Sequence, residues 1–441
     1  MKQSKHNIYY SPKEVRTILE RSINTALDGL KCYCNDPVSD FTRCRKLPAR
    51  TLIECIMSFS NYSSIGELSH FFVGQGEMPS ASALSQRRQL LDPDIFKRIN
   101  NLFVSAFDDH TTINGYHILA QDGSDVNIPF MDDKTKTEKH DAKSFCQYHV
   151  NALYDCLNKV FYDWSIDAAS KKREVNALIS IMIDRNYPQN SIFTADRGYE
   201  SYNLMAHFIE NDIKFVIRVK DIHTKSGLMT NIKTEEGAFD MRVNRTLTSL
   251  QTKEIKADKE KYIFVPSTSN FDFLDENRDF YDLSFRAVRF KISEDVYETV
   301  VTNLSEEEFK AEDFKELYHY RWNEETAFNK LKYTIGLVYF HARKRKLIQQ
   351  EINAAFLMYN VSEVVIRNID LKKNKKPELE YDYKPNFSSA VTNIRLYLRK
   401  QINMKELILR IKKFLVAQRP ERSFERNMKS QSCKSLNYRT S

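Results

Sequence analysis

Two short apolar runs that each end on an aspartate constrain this chain most. Residues 116–122 (YHILAQD) and 191–196 (SIFTAD) read as buried strands closed by an acid. Between them, HVNALYDC (149–156) and KVFYDWSID (159–167), joined by Leu157-Asn158, read as a hairpin. REVNALISIMIDRN (173–186) has the 3.6-residue period of an amphipathic helix, and Pro188 follows just past its end. A helix around 201–210 and the strand KFVIRVK (214–220) complete the run. Strands first, then strands alternating with helices, predict an α/β fold: a mixed sheet flanked by helices.

The flanks read differently. Apolar residues recur at helical spacing over 12–30, with Gly29 near the end, and again over 51–60 and 64–72. The loop VGQGEMPS leads to SASALSQRRQLL, where Ser80 is placed to cap a helix carrying Gln86, Arg87 and Arg88. This order suits a helix-turn-helix reading duplex DNA through those three residues, although such helices also occur in any helical domain. Residues 221–304, rich in Thr, Phe, Val and alternating charge, predict an inserted β-rich segment. Ser305 and Glu308 form a capping-box signature that should open a long helical region reaching Tyr333. A helix over 346–368, a lysine-rich linker (LKKNKKPELE), a basic helix near 391–416 and a polar tail disordered when free complete the chain.

Charge is uneven along the sequence. Residues 1–110 carry 14 basic and 12 acidic side chains, 111–340 carry 30 and 38, and 341–441 carry 23 and 9. An acidic middle beside a basic C-terminal quarter suits a metal-binding carboxylate site next to a polyanion-binding surface, though a solubilising tail has the same charge. Seven cysteines, odd in number and without a C-x2-C pair, read as reduced thiols rather than as a disulfide framework or a zinc site. No apolar run approaches the roughly 20 residues that span a bilayer. The N-terminus has no secretory h-region, so a cytoplasmic, nucleoid-associated protein is expected.

The chemistry concentrates in YHYRWNEETAFNKLK. Tyr318, Arg321, Glu325 and Lys332, at about 100° per residue, fall within roughly 60° of arc and would form one polar stripe on one helix. Such a stripe is usually a solvated face. Asp122 and Asp196, each closing a predicted strand and each followed by a glycine-containing turn (DGS and DRGY), weigh the other way. Three clustered carboxylates would repel one another without a cation, and hard magnesium prefers carboxylate oxygens. Trp322 beside the stripe, Arg197 after the second aspartate, and the run Arg343, Lys344, Arg345 and Lys346 are further candidates for DNA contact. His140 and His149 fit no metal or nucleophile pattern, and no phosphate-binding GxxxxGK[ST] loop is present.

With these residues in place, the sequence resembles the DDE-type transposases of bacterial insertion sequences, in the branch marked by the Y-x2-R-x3-E-x6-K signature. Tyr318, Arg321, Glu325 and Lys332 match it at every position, and Asp122 and Asp196 match the two catalytic aspartates. The resemblance implies a ribonuclease-H-like core in which Asp122, Asp196 and Glu325 hold Mg2+, or Mn2+ as substitute, while Tyr318, Arg321 and Lys332 grip DNA phosphate. It implies double-stranded DNA (the element's terminal inverted repeats and its target) as partner, a homodimer in the synaptic complex, and cut-and-paste movement. The corresponding division is 1–110 DNA-binding, 111–220 and 305–370 catalytic core, 221–304 β-rich insertion and 371–441 basic helical region and tail. In one respect the chain departs from its relatives: Tyr297 and Glu298 stand where some carry a base-stacking tryptophan. A transposase-derived DNA-binding protein that no longer cuts, and a nuclease without strand transfer, are the rival readings.

Overall fold

The computed structural model describes residues 1–418, apart from 372–380 and the short stretches 6–8, 44, 75, 140–141, 170–173, 223, 225, 267, 270 and 295. His140, Cys44, most of the lysine-rich linker and the tail beyond residue 418 lie outside the described residues. A short ribbon of β1 (Gln3–Lys5) and β2 (Thr111–Ile113) brackets five helices. Helix α1 (Pro12–Asp28) starts on a reciprocal cap, Ser11 with Glu14, and α2 (Ala49–Met57) follows. Ser63 caps α3 (Ser64–Phe71), Ser80 caps α4 (Ala81–Leu90), and α5 (Asp94–Val104) closes the set. A separate helix over α5 was not anticipated, although its Ile95, Phe96, Ile99 and Phe103 have helical spacing and are fully buried.

The chain then builds a ten-stranded mixed sheet. Its strands are β3 (His117–Ile128), β4 (Lys136–Lys139), β5 (Ala142–Asp155), β6 (Val160–Ala168), β7 (Ser191–Ala195), β8 (Lys214–Val219), β9 (Phe239–Thr248), β10 (Tyr262–Phe264), β11 (Phe280–Ser293) and β12 (Val296–Thr302). Their spatial order is β10-β9-β11-β12-β8-β7-β3-β5-β4, with β6 also paired to β5. Strands β3, β7 and β8 run parallel, and the crossovers between them carry α6 (Glu174–Asp184) and α7 (Tyr202–Glu210). The predicted hairpin is β5–β6, with Asp155 opposite Val160. Residues 221–304 carry the short α8 (Lys253–Ala257) as well as strands, and their strands extend the main sheet, because β12 pairs antiparallel with β8.

Two expectations need correction. Strand β3 does not stop at Asp122 but continues six residues further to Ile128, held by its ladder with β5. The long helical region expected over 305–333 is in pieces. Ser305 and Glu308 do cap each other, but they close only one turn, and α9 begins at Asp313 (Asp313–His319). At Tyr320-Arg321 the amides of Arg321, Asn323 and Glu324 bond three residues back, tightening the coil before α10 (Trp322–Lys330). A π-turn, Leu331–Ile335, then ends at Gly336, whose φ of 117° a side chain would strain. The signature residues therefore do not form one solvated stripe.

Helix α11 (Arg345–Arg367) is buried along most of its length, between the N-terminal helices and β6. The basic helix expected near 391–416 is two helices, α12 (Phe387–Leu398) and α13 (Met404–Lys413), separated by a turn in which Lys400 has φ 60°. Strands β13 (Asp382–Pro385) and β14 (Leu415–Gln418) clip their outer ends together. Among the described residues, no helix is long and apolar enough to cross a membrane.

Candidate active site

The parallel ladder between β3 and β7 ends at the pair Gln121 and Ala195, and the next residue on each strand is an aspartate. Asp122, within β3, and Asp196, just past β7, thus lie side by side where the β3–β7 ladder ends, at the carboxyl end of β7, where loops commonly carry chemistry. The Asp122 Oδ1 accepts the Gly123 amide at 2.8 Å. Asp196 caps a 3-10 turn, Arg197–Tyr199, and its Oδ1 accepts the Gly198 amide at 2.7 Å. Helix α10 crosses this edge and supplies Glu325, whose Oε1 lies 3.3 Å from an Arg321 nitrogen. The same guanidinium lies 4.0 Å from Asp122 Oδ2, so Arg321 stands between the first aspartate and the glutamate.

The electrostatics are those of a crowded acid cluster. Burial raises the pKa of Asp122 to about 6, and Asp196 and Glu325 add to the rise against the Gly123 amide and Arg321. Burial opposes the Arg321 charge, but Tyr318, Asp122 and Glu325 outweigh it and raise its pKa above the usual value. Lys332, half-buried in the π-turn, has a pKa lowered by burial and supported by Asp125 and Asp122. The donors are all hard oxygens of the kind that suit magnesium or manganese. Among the described residues, however, no three His, Cys, Asp or Glu side chains are gathered closely enough to close on one ion.

Tyr318 is buried, not displayed on a wet face, and its hydroxyl lies near Arg321 without a well-formed hydrogen bond. Trp322 is 41% exposed. Together with Tyr318, Glu298, Ile292 and Lys315 it lines a cleft beside the site, of about 490 Å³. Glu298 pairs with Arg218 at 3.0 Å, and Arg289 covers the Tyr297 ring. Arg197 is exposed next to Asp196.

The outlying DNA candidates divide. Arg88 is buried, bonded to Leu347 and Gln350 and ion-paired with Glu351 at 2.6 Å, so it ties α4 to α11 and cannot enter a groove. Arg87 lies over the Phe41 ring and donates to the Leu47 carbonyl, while Gln86 is exposed. Arg345 is likewise committed, to Asp133, the Pro129 carbonyl and Thr135. Lys346 bonds Asn35 and the Gln89 carbonyl, Lys344 bonds Gln89, and Arg343 and Lys344 are exposed.

Three residues gain meaning only in the fold. His149, opposite Asp125 across β5 and β3, has Nδ1 2.7 Å from Asp125 and Nε2 3.0 Å from Glu174. Burial works against its charge, but the bonds to Asp125 and Glu174 raise its pKa to about 9. Gly123 is glycine for the same reason: a Cβ there would fall 2.4 Å from His149 Nε2. Its place in DGS is a close approach within a strand, not a turn. Glu324, beside the matched glutamate, is fully buried, and burial and the nearby Asp122 charge raise its pKa well above the usual value. Neither of its oxygens has a well-formed hydrogen bond.

Comparison with known proteins gives a family match and a structural neighbour. A family model described as a transposase DDE domain matches residues 113–361, from just before β3 to the latter part of α11. No curated protein matches the sequence. Among solved structures, the chain is similar to a piggyBac transposase in a synaptic complex with hairpin DNA, at 11% identity and a TM-score of 0.43, over 96% of this chain and 90% of that one.

Proposed function

The chain belongs to the transposase DDE-domain family, and from that premise we propose that it is a metal-dependent polynucleotidyl transferase that cuts and joins the ends of its own mobile element. The observation that carries this reading is the meeting of Asp122 and Asp196, one residue past the β3–β7 ladder, with Glu325 on α10. Asp122, Asp196 and Glu325 would hold Mg2+, with Mn2+ able to substitute. When bound, the metal would supply activation of an attacking oxygen and stabilisation of a leaving one.

The rest of the site has its own tasks. Arg321, already shared between two of the acids, would orient a phosphate against them. Lys332 would add positive charge beside Asp122. Tyr318, buried beneath Arg321, would set the guanidinium's height through its ring. Trp322, 41% exposed on the wall of the adjoining cleft and with the Arg321 guanidinium 5.1 Å from its ring centre, would be placed to stack a base. The match of all four signature residues favours the Y-R-E-K branch and a ribonuclease-H-like core.

By the same reading, the partner is double-stranded DNA carrying the element's terminal inverted repeats. The working form is a homodimer bridging two ends, and the setting is the nucleoid of the cytoplasm. Residues 1–110 and the basic region 371–441 would bind DNA around a core of 111–220 and 305–370, with 221–304 inserted. A derivative that binds without cutting would have no use for the three acids.

Incubating the protein with labelled DNA bearing the gene's own flanks, with magnesium or manganese, separates these readings. Wild type should nick the element ends and yield joined products. Asp122→Asn and Glu325→Gln should bind the ends but cut them at least about 1,000-fold more slowly, since each removes a ligand charge. Nicking at the wild-type rate by either variant would remove the assignment.

A further inference from the structure

We propose that His149 is a positioning residue of the metal site: a cationic clasp between β3 and α6 that holds two extra carboxylates, Asp125 and Glu174, in place behind the three acids that would bind metal. The inference rests on the metal-site reading above. Three observations carry it. The imidazole has a carboxylate near each nitrogen, Asp125 hydrogen-bonded to Nδ1 at 2.7 Å and Glu174 in ion-pair contact with Nε2 at 3.0 Å without a well-formed hydrogen bond, and its side chain is 2% exposed. The chain makes room for the ring next to Asp122 by placing glycine at 123, where a Cβ would collide with it. The far oxygen of Glu174, Oε2, lies 3.6 Å from the Cβ position of Gly198, and the amide of Gly198 binds Asp196. His149 therefore reaches the neighbourhood of both aspartates, one through β3 and one through α6.

The physical task follows from charge. Asp125 and Glu174 lie beside Asp122 and Asp196, and each added negative charge makes that neighbourhood harder to keep in order. An imidazolium between them neutralises part of this charge and fixes the orientation of both. Residues behind metal ligands act in this way, and losing one typically costs about 10–100-fold in metal affinity. Lys332 also supports Asp125, so His149 carries only part of the compensation.

The test reads metal binding directly, as free Mn2+ followed by electron paramagnetic resonance in titrations of full-length protein. Thermal melting without metal is recorded alongside. His149→Gln, which keeps a polar side chain and removes the charge, should weaken Mn2+ binding by about 10-fold. The double variant His149→Gln with Glu174→Gln should recover most of that loss, because the charge needing compensation is gone. A role in packing alone would show no such recovery. Asp122→Asn is the control for the underlying reading. If wild type binds Mn2+, Asp122→Asn does not, and His149→Gln binds as wild type, the clasp is refuted and the metal site stands. If His149→Gln binds weakly and the double variant is no better, the clasp is refuted as well. If wild type and Asp122→Asn bind alike, the metal-site reading itself has failed.

Discussion

Two charged clusters lie inside this chain, and they are built on opposite rules. At the helical end, Arg88 and His341 face Glu351 and Glu67, and Arg395 and Arg399 also lie near Glu67, so the acids are fully matched by cations. Arg88 is 2.6 Å from Glu351, and His341 is 3.2 Å from Glu351 and 3.4 Å from Glu67. Burial opposes every charge there, yet Arg88 and His341 lower the pKa of Glu351, and the two glutamates raise that of His341 to about 9. At the end of the central strands, Asp122, Asp125, Glu174, Asp196 and Glu325 face Arg321, Lys332 and His149, and Asp122 has its pKa raised instead. A balanced buried cluster joins helices. A cluster with acids in excess is unfavourable for the free protein and is relieved by a cation from outside, which is the signature of a site.

The largest effect that separates the two is on stability. Glu351→Ala leaves Arg88 and His341 buried without their shared partner and should cost about 3–5 kcal/mol in urea denaturation. Cleavage per folded molecule should not change. A loss near zero would mean that the helical cluster is not a strut and that the contrast is false.

A change of opposite sign is expected at the other cluster. The Asp122 pKa is raised from 3.8 to about 6 in the folded chain, so this group favours folding below pH 4, and that contribution is lost as pH rises through 6. A shift of that size is worth about 2–3 kcal/mol at neutral pH. Asp122→Asn should therefore stabilise the metal-free protein by about 1–2 kcal/mol at pH 7, and its stability should depend less on pH between 4 and 6. Destabilisation by this variant in metal-free urea titrations would contradict the excess-acid picture. The smallest effect is at Tyr318, whose buried hydroxyl lies near Arg321 without a well-formed hydrogen bond: Tyr318→Phe should change stability by less than about 1 kcal/mol. A larger loss would reveal a hydroxyl contact that sharpens the role of the ring beneath Arg321.

The same contrast shows what could be read from sequence. Asp122, Asp196 and Glu325 could be singled out because an apolar run ends at each aspartate and signature spacing picks the glutamate. The central strands and most helices followed from period, and the start of α4 from Ser80 as its cap, whereas the caps Ser11 and Ser63 emerge only in the structure. Apart from the local break in the signature helix, what failed depended on long-range pairing. Strand β3 runs on past Asp122 because β5 pairs with it, which its own residues do not reveal. The signature helix breaks because tight i→i+3 bonds interrupt it at Tyr320-Arg321. Arg88 and Arg345 look like free cations in sequence, and their partners are 263 and 212 residues away. His149 had no pattern because Asp125 and Glu174 reach it across a strand pair and from a helix. Gly123 was its only trace, and a glycine after a strand-end acid reads first as a turn.

The central claim is that the acids around Asp122 are in excess until a cation joins them. The most direct measurement is the urea midpoint at pH 7 with and without Mg2+, for wild type and for the double variant Asp122→Asn with Glu325→Gln. With metal at about 100 times its dissociation constant, wild type should gain about 2.7 kcal/mol. The double variant, in which buried Arg321 has lost both of its acidic partners, should gain little from metal whatever its starting midpoint. Equal gains in both proteins, or none in wild type, would contradict the claim.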